Sequence, residues 1–175
     1  MTVKIDLLPE YVENIKNNKV TFIKNFSTIE NKYDFNWLVS FFEKLDIPVL
    51  FKNNENNFFN KIFQIRKLEN IFKDFKFLQS FLQQVFKYVP NNQEGCDSCD
   101  IFFSFKSTSG TGHTDQEDVF IIGLEGLVTY KTFGEDTNYY EIQKGDLIYI
   151  PKGVHHKVIS LSPRITLSIG FYGKK

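Results

Sequence analysis

Gly145-Asp-Leu-Ile-Tyr-Ile-Pro151-Lys-Gly153-Val-His155-His156 holds, in one stretch, a strand, a turn and the opening of a second strand. Asp146 to Ile150 is a short run of β-favouring residues, Pro151-Lys-Gly153 is turn chemistry, and Lys157 to Leu161 reads as the next strand. The same pattern recurs outward from it. Ile101 to Lys106, Asp118 to Leu124, Leu127 to Phe133 and Arg164 to Tyr172 read as strands, separated by Ser-Gly-Thr-Gly, Glu-Gly, Gly-Glu-Asp, Lys-Gly-Asp and Ser-Pro turns. Many short strands with tight turns and no helices between them predict a mainly β fold, an antiparallel sheet closed or folded over as a jelly roll.

The N-terminal part has a different period. Leu8 to Asn18 predicts a short helix, and Lys19 to Lys24 alternates as an edge strand would. Asp34 is a candidate N-cap for a helix whose stripe is Phe35, Leu38, Val39, Phe42 and Leu45, ended by Asp46-Ile-Pro48. Asn53 to Asn57 reads as a polar loop. A helix from about Asp74 to Tyr88 places Phe75, Leu78, Leu82, Val85, Phe86 and Val89 on one stripe, and Pro90 breaks it. The expectation is a single domain over 1–175, with helices and edge strands in 1–97 packed on a β core in 98–173.

With 175 residues, 42% of them apolar, the chain is long enough to bury a substantial core. Lys plus Arg and Asp plus Glu are equal at 21 each, which offers no electrostatic reason for a nucleic-acid partner or an anionic membrane. No apolar stretch approaches the roughly 20 residues of a membrane span, and Met1 to Glu10 lacks signal-peptide layout. A soluble, cytoplasmic protein is the expectation. Cys96-Asp-Ser-Cys99 has no second cysteine pair to complete a structural zinc site, so two reduced thiols at the entry to a strand are expected.

All three histidines lie in two segments: His113-Thr114-Asp115, and His155-His156 after the Pro-Lys-Gly turn. An imidazole and a carboxylate two residues apart share a face of extended chain. A histidine from a distant strand would complete two histidines and one carboxylate, a set that occupies one face of a metal ion and leaves the other positions open, as in non-haem Fe(II) oxygenases.

Gly145-x5-Pro151-x-Gly153-x2-His156 resembles the second cupin motif at every fixed position. His113-x-Asp115 followed by Val119-Phe-Ile-Ile-Gly-Leu-Glu-Gly126 resembles the first, with Asp in place of the second histidine. This combination is similar to the cupin-like branch of the JmjC-type Fe(II)/2-oxoglutarate oxygenases, which includes asparaginyl and ribosomal-protein hydroxylases. The resemblance is strongest over roughly 98–173. It implies a double-stranded β-helix (cupin-like jelly-roll) barrel, Fe(II) held by His113, Asp115 and His156, 2-oxoglutarate and O2 as co-substrates, and a protein side chain or small metabolite as substrate. Strand parity agrees with the choice of His156, since His155 then faces outward.

The co-substrate anchor departs from the pattern. Related hydroxylases usually place a cation two residues beyond the glycine equivalent to Gly126, and here that residue is Val128. Two other cations are candidates. Arg164 shares a strand face with Thr166 and Ser168, whose hydroxyls are suited to the same carboxylate, and Lys131 reaches inward only if its strand bulges. Two further readings stay open: a metal-dependent cupin enzyme that does not use 2-oxoglutarate, and a non-catalytic cupin-like binding module.

Overall fold

The structure, a computed structural model, describes residues 7–28, 32–44, 62–87, 98–134 and 136–172. Among the described residues, ten strands form two antiparallel sheets. The strands are β1 (Thr21–Ile23), β2 (Phe63–Ile65), β3 (Cys99–Ser104), β4 (Thr108–Ser109), β5 (Asp118–Gly126), β6 (Val128–Phe133), β7 (Thr137–Ile142), β8 (Leu147–Ile150), β9 (His155–Ser160) and β10 (Arg164–Phe171). One sheet runs β1-β8-β5-β10-β3-β2 and the other β4-β9-β6-β7. From β3 onward the chain alternates between them, except at the β6–β7 hairpin, whose two strands both lie in the smaller sheet. Four strands of each sheet thus build the double-stranded β-helix, while β1 and β2, from the N-terminal part, add an edge strand to either side of the larger sheet.

The expected strands fall into place, with three additions: β2, β4 and β7. β4 is too short to leave a pattern. β7 carries Thr-Asn-Tyr-Tyr-Glu-Ile and buries only Ile142, because it is the outer strand of the smaller sheet and has no apolar face to alternate. β5 shows the opposite extreme, with Asp118 to Leu124 all buried. A strand covered on both faces loses its period of two.

Burial on both faces follows from two separate cores. Phe120, Ile122, Leu147, Tyr149, Ile165 and Leu167 face a layer of helices, whereas Val119, Ile121, Ile148 and Ile150 face the barrel interior with Val128, Tyr130 and Ile142 of the smaller sheet. The helices are α1 (Pro9–Lys16), α2 (Phe35–Lys44) and α3 (Lys73–Phe86), with a 3-10 turn at Leu68–Asn70 before the last. None of them is long and apolar enough to cross a membrane.

Asp34 caps α2 as expected, its Oδ1 accepting the Trp37 N–H at 2.8 Å. The buried stripe of α2 differs from the expected one. Leu38 and Phe41 are buried, and Val39 is 51% exposed. Phe41 turns inward because it stacks on Trp37 (5.5 Å, 8°) and tilts against Phe72 at 5.3 Å. In α3 the expected Phe75, Leu78, Leu82 and Phe86 are buried. Leu45, the Asp46–Pro48 stop, the Asn53–Asn57 loop, Tyr88 to Pro90 and Cys96 lie outside the described residues.

Candidate metal centre and co-substrate pocket

The turn at Pro151-Lys-Gly153 delivers β9 to the mouth of the barrel. Gly153 adopts φ +81°, a left-handed conformation that side chains disfavour. Its N–H donates to the Asp115 carbonyl at 3.0 Å, so the turn also fixes the loop that carries the other two candidate ligands. His155 then projects to solvent and His156 into the barrel, where it is 2% exposed. Parity alone separates the two histidines.

His113, Asp115 and His156 each offer one ligand atom, all within 4.8 Å of one another. Asp115 stands between the imidazoles: its Oδ1 is 3.6 Å from His113 Nε2 and its Oδ2 is 3.6 Å from His156 Nε2. Both rings are oriented from behind. His113 Nδ1 lies 3.1 Å from the Thr111 carbonyl and His156 Nδ1 3.1 Å from the Val154 carbonyl. A carbonyl only accepts, so each neutral ring carries its proton on Nδ1 and presents an Nε2 lone pair inward. Burial holds the His156 imidazole below the ordinary histidine pKa, against the Val154 hydrogen bond and the Asp115 charge, which favour protonation. Two lone pairs and a carboxylate converging with no proton between them suit a divalent cation, and backbone carbonyls behind the rings are the outer support such ligands use.

The same residues line a cavity of about 280 Å³ between the sheets, walled by Phe102, Val119, Ile121 and Val158. Arg164 and Ser168 reach it from β10 and Tyr130 from β6. Arg164 is 1% exposed; its Nη1 donates to Thr166 Oγ1 at 2.7 Å, and its Nε finds no hydrogen-bond partner among the described residues. Burial lowers its pKa, yet a guanidinium keeps its charge. A buried cation with an unused donor is an anion site by its chemistry. The Tyr130 side chain is buried in the same cavity; burial raises its pKa, against the Arg164 charge and Thr166, which lower it, and its hydroxyl stays neutral beside the guanidinium.

Lys131 is not part of this pocket. β6 alternates regularly, with Val128, Tyr130 and Thr132 buried, and no bulge turns Lys131 inward. Its ammonium lies on the outer face, 4.8 Å from the Phe133 ring centroid and 5.2 Å from that of Tyr139. Val128 is buried in the barrel core. Of the two guanidiniums that line the cavity, Arg66 is 56% exposed and paired with Asp100, and Arg164 of the last strand is the buried one.

Two acidic residues had no signal in the sequence. Asp100, on β3, accepts from Gln64 Nε2 (2.8 Å) and Lys67 N (3.1 Å) and pairs with the Arg66 guanidinium (Nε at 3.4 Å), tying β2 and the segment after it to the cavity rim. Glu117 lies over Gly170, where a Cβ would come within 2.4 Å of its carboxyl carbon. Both partnerships span long sequence distances that a motif does not report. Cys99 is a free, buried thiol at the start of β3; burial, aided by Glu69 and Asp100, raises its pKa and leaves it inert.

Residues 127–175 match the family model described as JmjC domain. The fold is the double-stranded β-helix that the two motifs implied. More particularly, the chain is similar to structures of the Escherichia coli ribosomal oxygenase YcfD: one matches with a TM-score of 0.75 at 17% identity, over 100% of this chain and 54% of that one. Another, with TM-score 0.71 and 17% identity, covers 99% and 54% and is YcfD in complex with cobalt and 2-oxoglutarate. The chain therefore spans about half the length of these relatives. A Caenorhabditis briggsae protein described as a probable inactive acireductone dioxygenase 2 is 34% identical over 64 residues, 35% of this chain and 40% of that protein.

Proposed function

We propose that this chain is an Fe(II)- and 2-oxoglutarate-dependent oxygenase that hydroxylates a protein side chain or a small molecule. The observation that carries the reading is the pairing, in one cavity, of the His113-Asp115-His156 cluster with a buried Arg164 whose Nε is unsatisfied. His113 and His156 would bind through Nε2 and Asp115 through one oxygen, leaving one side of the ion open to a chelating acid. Arg164 and the Tyr130 hydroxyl would hold the distal carboxylate of that acid by charge-assisted and neutral hydrogen bonds. Val119, Ile121 and Val158 would keep water from the space between. Bound Fe(II) supplies the redox chemistry by which O2 converts 2-oxoglutarate to succinate and CO2 and places its second oxygen atom in a substrate C–H bond.

The relatives described as ribosomal oxygenases support a protein side chain as the first substrate class to test. The experiment is anaerobic titration of the purified chain with Fe(II) and then 2-oxoglutarate. A weak visible charge-transfer band that appears only with both is the expected result, since it reports the chelate at an open site. Metal binding without the band would favour a cupin that does not use 2-oxoglutarate. No metal binding would leave a binding module.

A further inference from the structure

The outer face of the smaller sheet carries a line of stacked side chains that ends on the loop holding His113 and Asp115. Tyr139 on β7 stands opposite Lys131 on β6, and the Lys131 ammonium lies over both the Tyr139 and Phe133 rings. Phe133 stands opposite His155 on β9, and their rings stack with centroids 4.7 Å apart at 24°. The same imidazole bears on Gly112: a Cβ there would lie 2.7 Å from His155 Nε2 and 3.2 Å from Cε1. A side chain at Gly112 would push the imidazole off this seat.

The loop beyond Gly112 needs such support. Between the end of β4 at Ser109 and the start of β5 at Asp118 it has no strand of its own; beyond Gly112 its backbone is tied by the bridge of His113 to His156 and by the Gly153 N–H bond to the Asp115 carbonyl. The His113 side chain is 51% exposed and that of Asp115 28%. A ligand set that waits in place binds more tightly than one that must be ordered by the ion, because the ordering entropy has already been met.

We infer that His155 is a positioning residue: its ring, seated on Phe133, holds the Gly112–Asp115 segment against β9 so that His113 and Asp115 meet His156 before an ion arrives. This rests on the proposed ligand roles of those three residues. The ring plane acts here, through dispersion contact and the cation–π contacts that Lys131 adds to the same stack. A flat aromatic replacement should therefore substitute for His155, and an alanine should not.

The test compares His155→Ala, His155→Phe and Phe133→Ala by two measurements. The first is hydrogen exchange at the His113 amide in metal-free protein, with amides of β10 as an internal reference for global stability. The second is Co(II) affinity by calorimetry. In His155→Ala and Phe133→Ala the His113 amide should exchange about tenfold faster, and Co(II) affinity should fall about tenfold at unchanged stoichiometry, the lower end of what outer-shell support contributes. His155→Phe should restore both. Unchanged exchange in His155→Ala overturns the inference, as does a His155→Phe protein as impaired as the alanine variant. If the unmodified chain binds no Co(II), the ligand assignment fails, while the exchange comparison still decides the role of His155. Should Phe133→Ala not fold, the two His155 variants suffice.

Discussion

His113 and His156 exchange both of their backbone hydrogen bonds, His113 N–H to His156 O and His156 N–H to His113 O, each 2.9 Å long. Residues 43 positions apart in sequence are thereby held as an antiparallel pair, with ring centroids 4.4 Å apart. The pairing sets the spacing of the two imidazoles through the backbone, independently of either side chain.

The first prediction follows from that geometry. His156→Ala removes a buried Nε2 and should lower Co(II) or Fe(II) affinity by more than the roughly 100-fold that outer-shell changes reach. His155→Ala should retain full stoichiometry with a modest loss of affinity. Calorimetric titration of both variants checks this, and an equal loss in the two would mean the register of β9 is misassigned.

Arg164→Met should weaken 2-oxoglutarate binding by about 2–5 kcal/mol, because it leaves the distal carboxylate buried without its cation. Tyr130→Phe removes one neutral hydrogen bond and should cost about 1 kcal/mol. Lys131→Met should leave the dissociation constant unchanged, since its ammonium lies on the outer face. Were Arg164→Met to bind as tightly as the unmodified chain, the anchor and with it the use of 2-oxoglutarate would be in error.

Cys99→Ser, alone or with Cys96→Ser, should leave bound metal per chain unaltered. Cys99 sits on the helix side of β3 with its thiol 3.6 Å from the Phe75 carbonyl, away from the candidate ligands. Elemental analysis of the purified variants is the measurement, and loss of a stoichiometric metal would contradict the assignment.

Asp74 ties the segment before α2 to α3. Its burial favours the neutral acid, but hydrogen bonds from Lys32 and Tyr33 outweigh it and hold the carboxyl below the usual 3.8. A carboxyl with a depressed folded pKa stabilises the fold above its unfolded value, and that stability is lost as pH falls through the folded pKa. Asp74→Asn should therefore destabilise the chain at pH 7 and flatten the stability curve below about pH 4. Denaturant melts across pH decide it; equal slopes in both proteins would show that Asp74 makes no such contribution.

The strands, the HxD and PxGxxH segments and the inward turn of His156 were legible because each depends on neighbours within a dozen residues. Face was legible too: Arg164 and Thr166 share one, as parity required. What lay beyond reach was which distant face each side chain meets. Tyr130 has the parity of Val128 and so points into the cavity, yet only the approach of β10 brings it to the same cavity as Arg164. Phe41 displaced Val39 in the core because Trp37 and Phe72 were there to receive it, and no helical period encodes that. β7 left no trace since an outer strand buried only at its last residue has too little alternation to read.

The larger sheet is a wall with different tenants on its two sides. Along β5, Val119 and Ile121 furnish the cavity while Phe120 and Ile122 belong to the helix layer, Phe120 stacking on Phe86 at 5.3 Å. Reshaping the chamber and altering the scaffold are thus tasks for alternate residues of one strand. Trimming Ile121 would enlarge the room for a substrate without touching the Phe120–Phe86 contact behind it, so the size of acceptable substrates can drift while the architecture that presents them stays put.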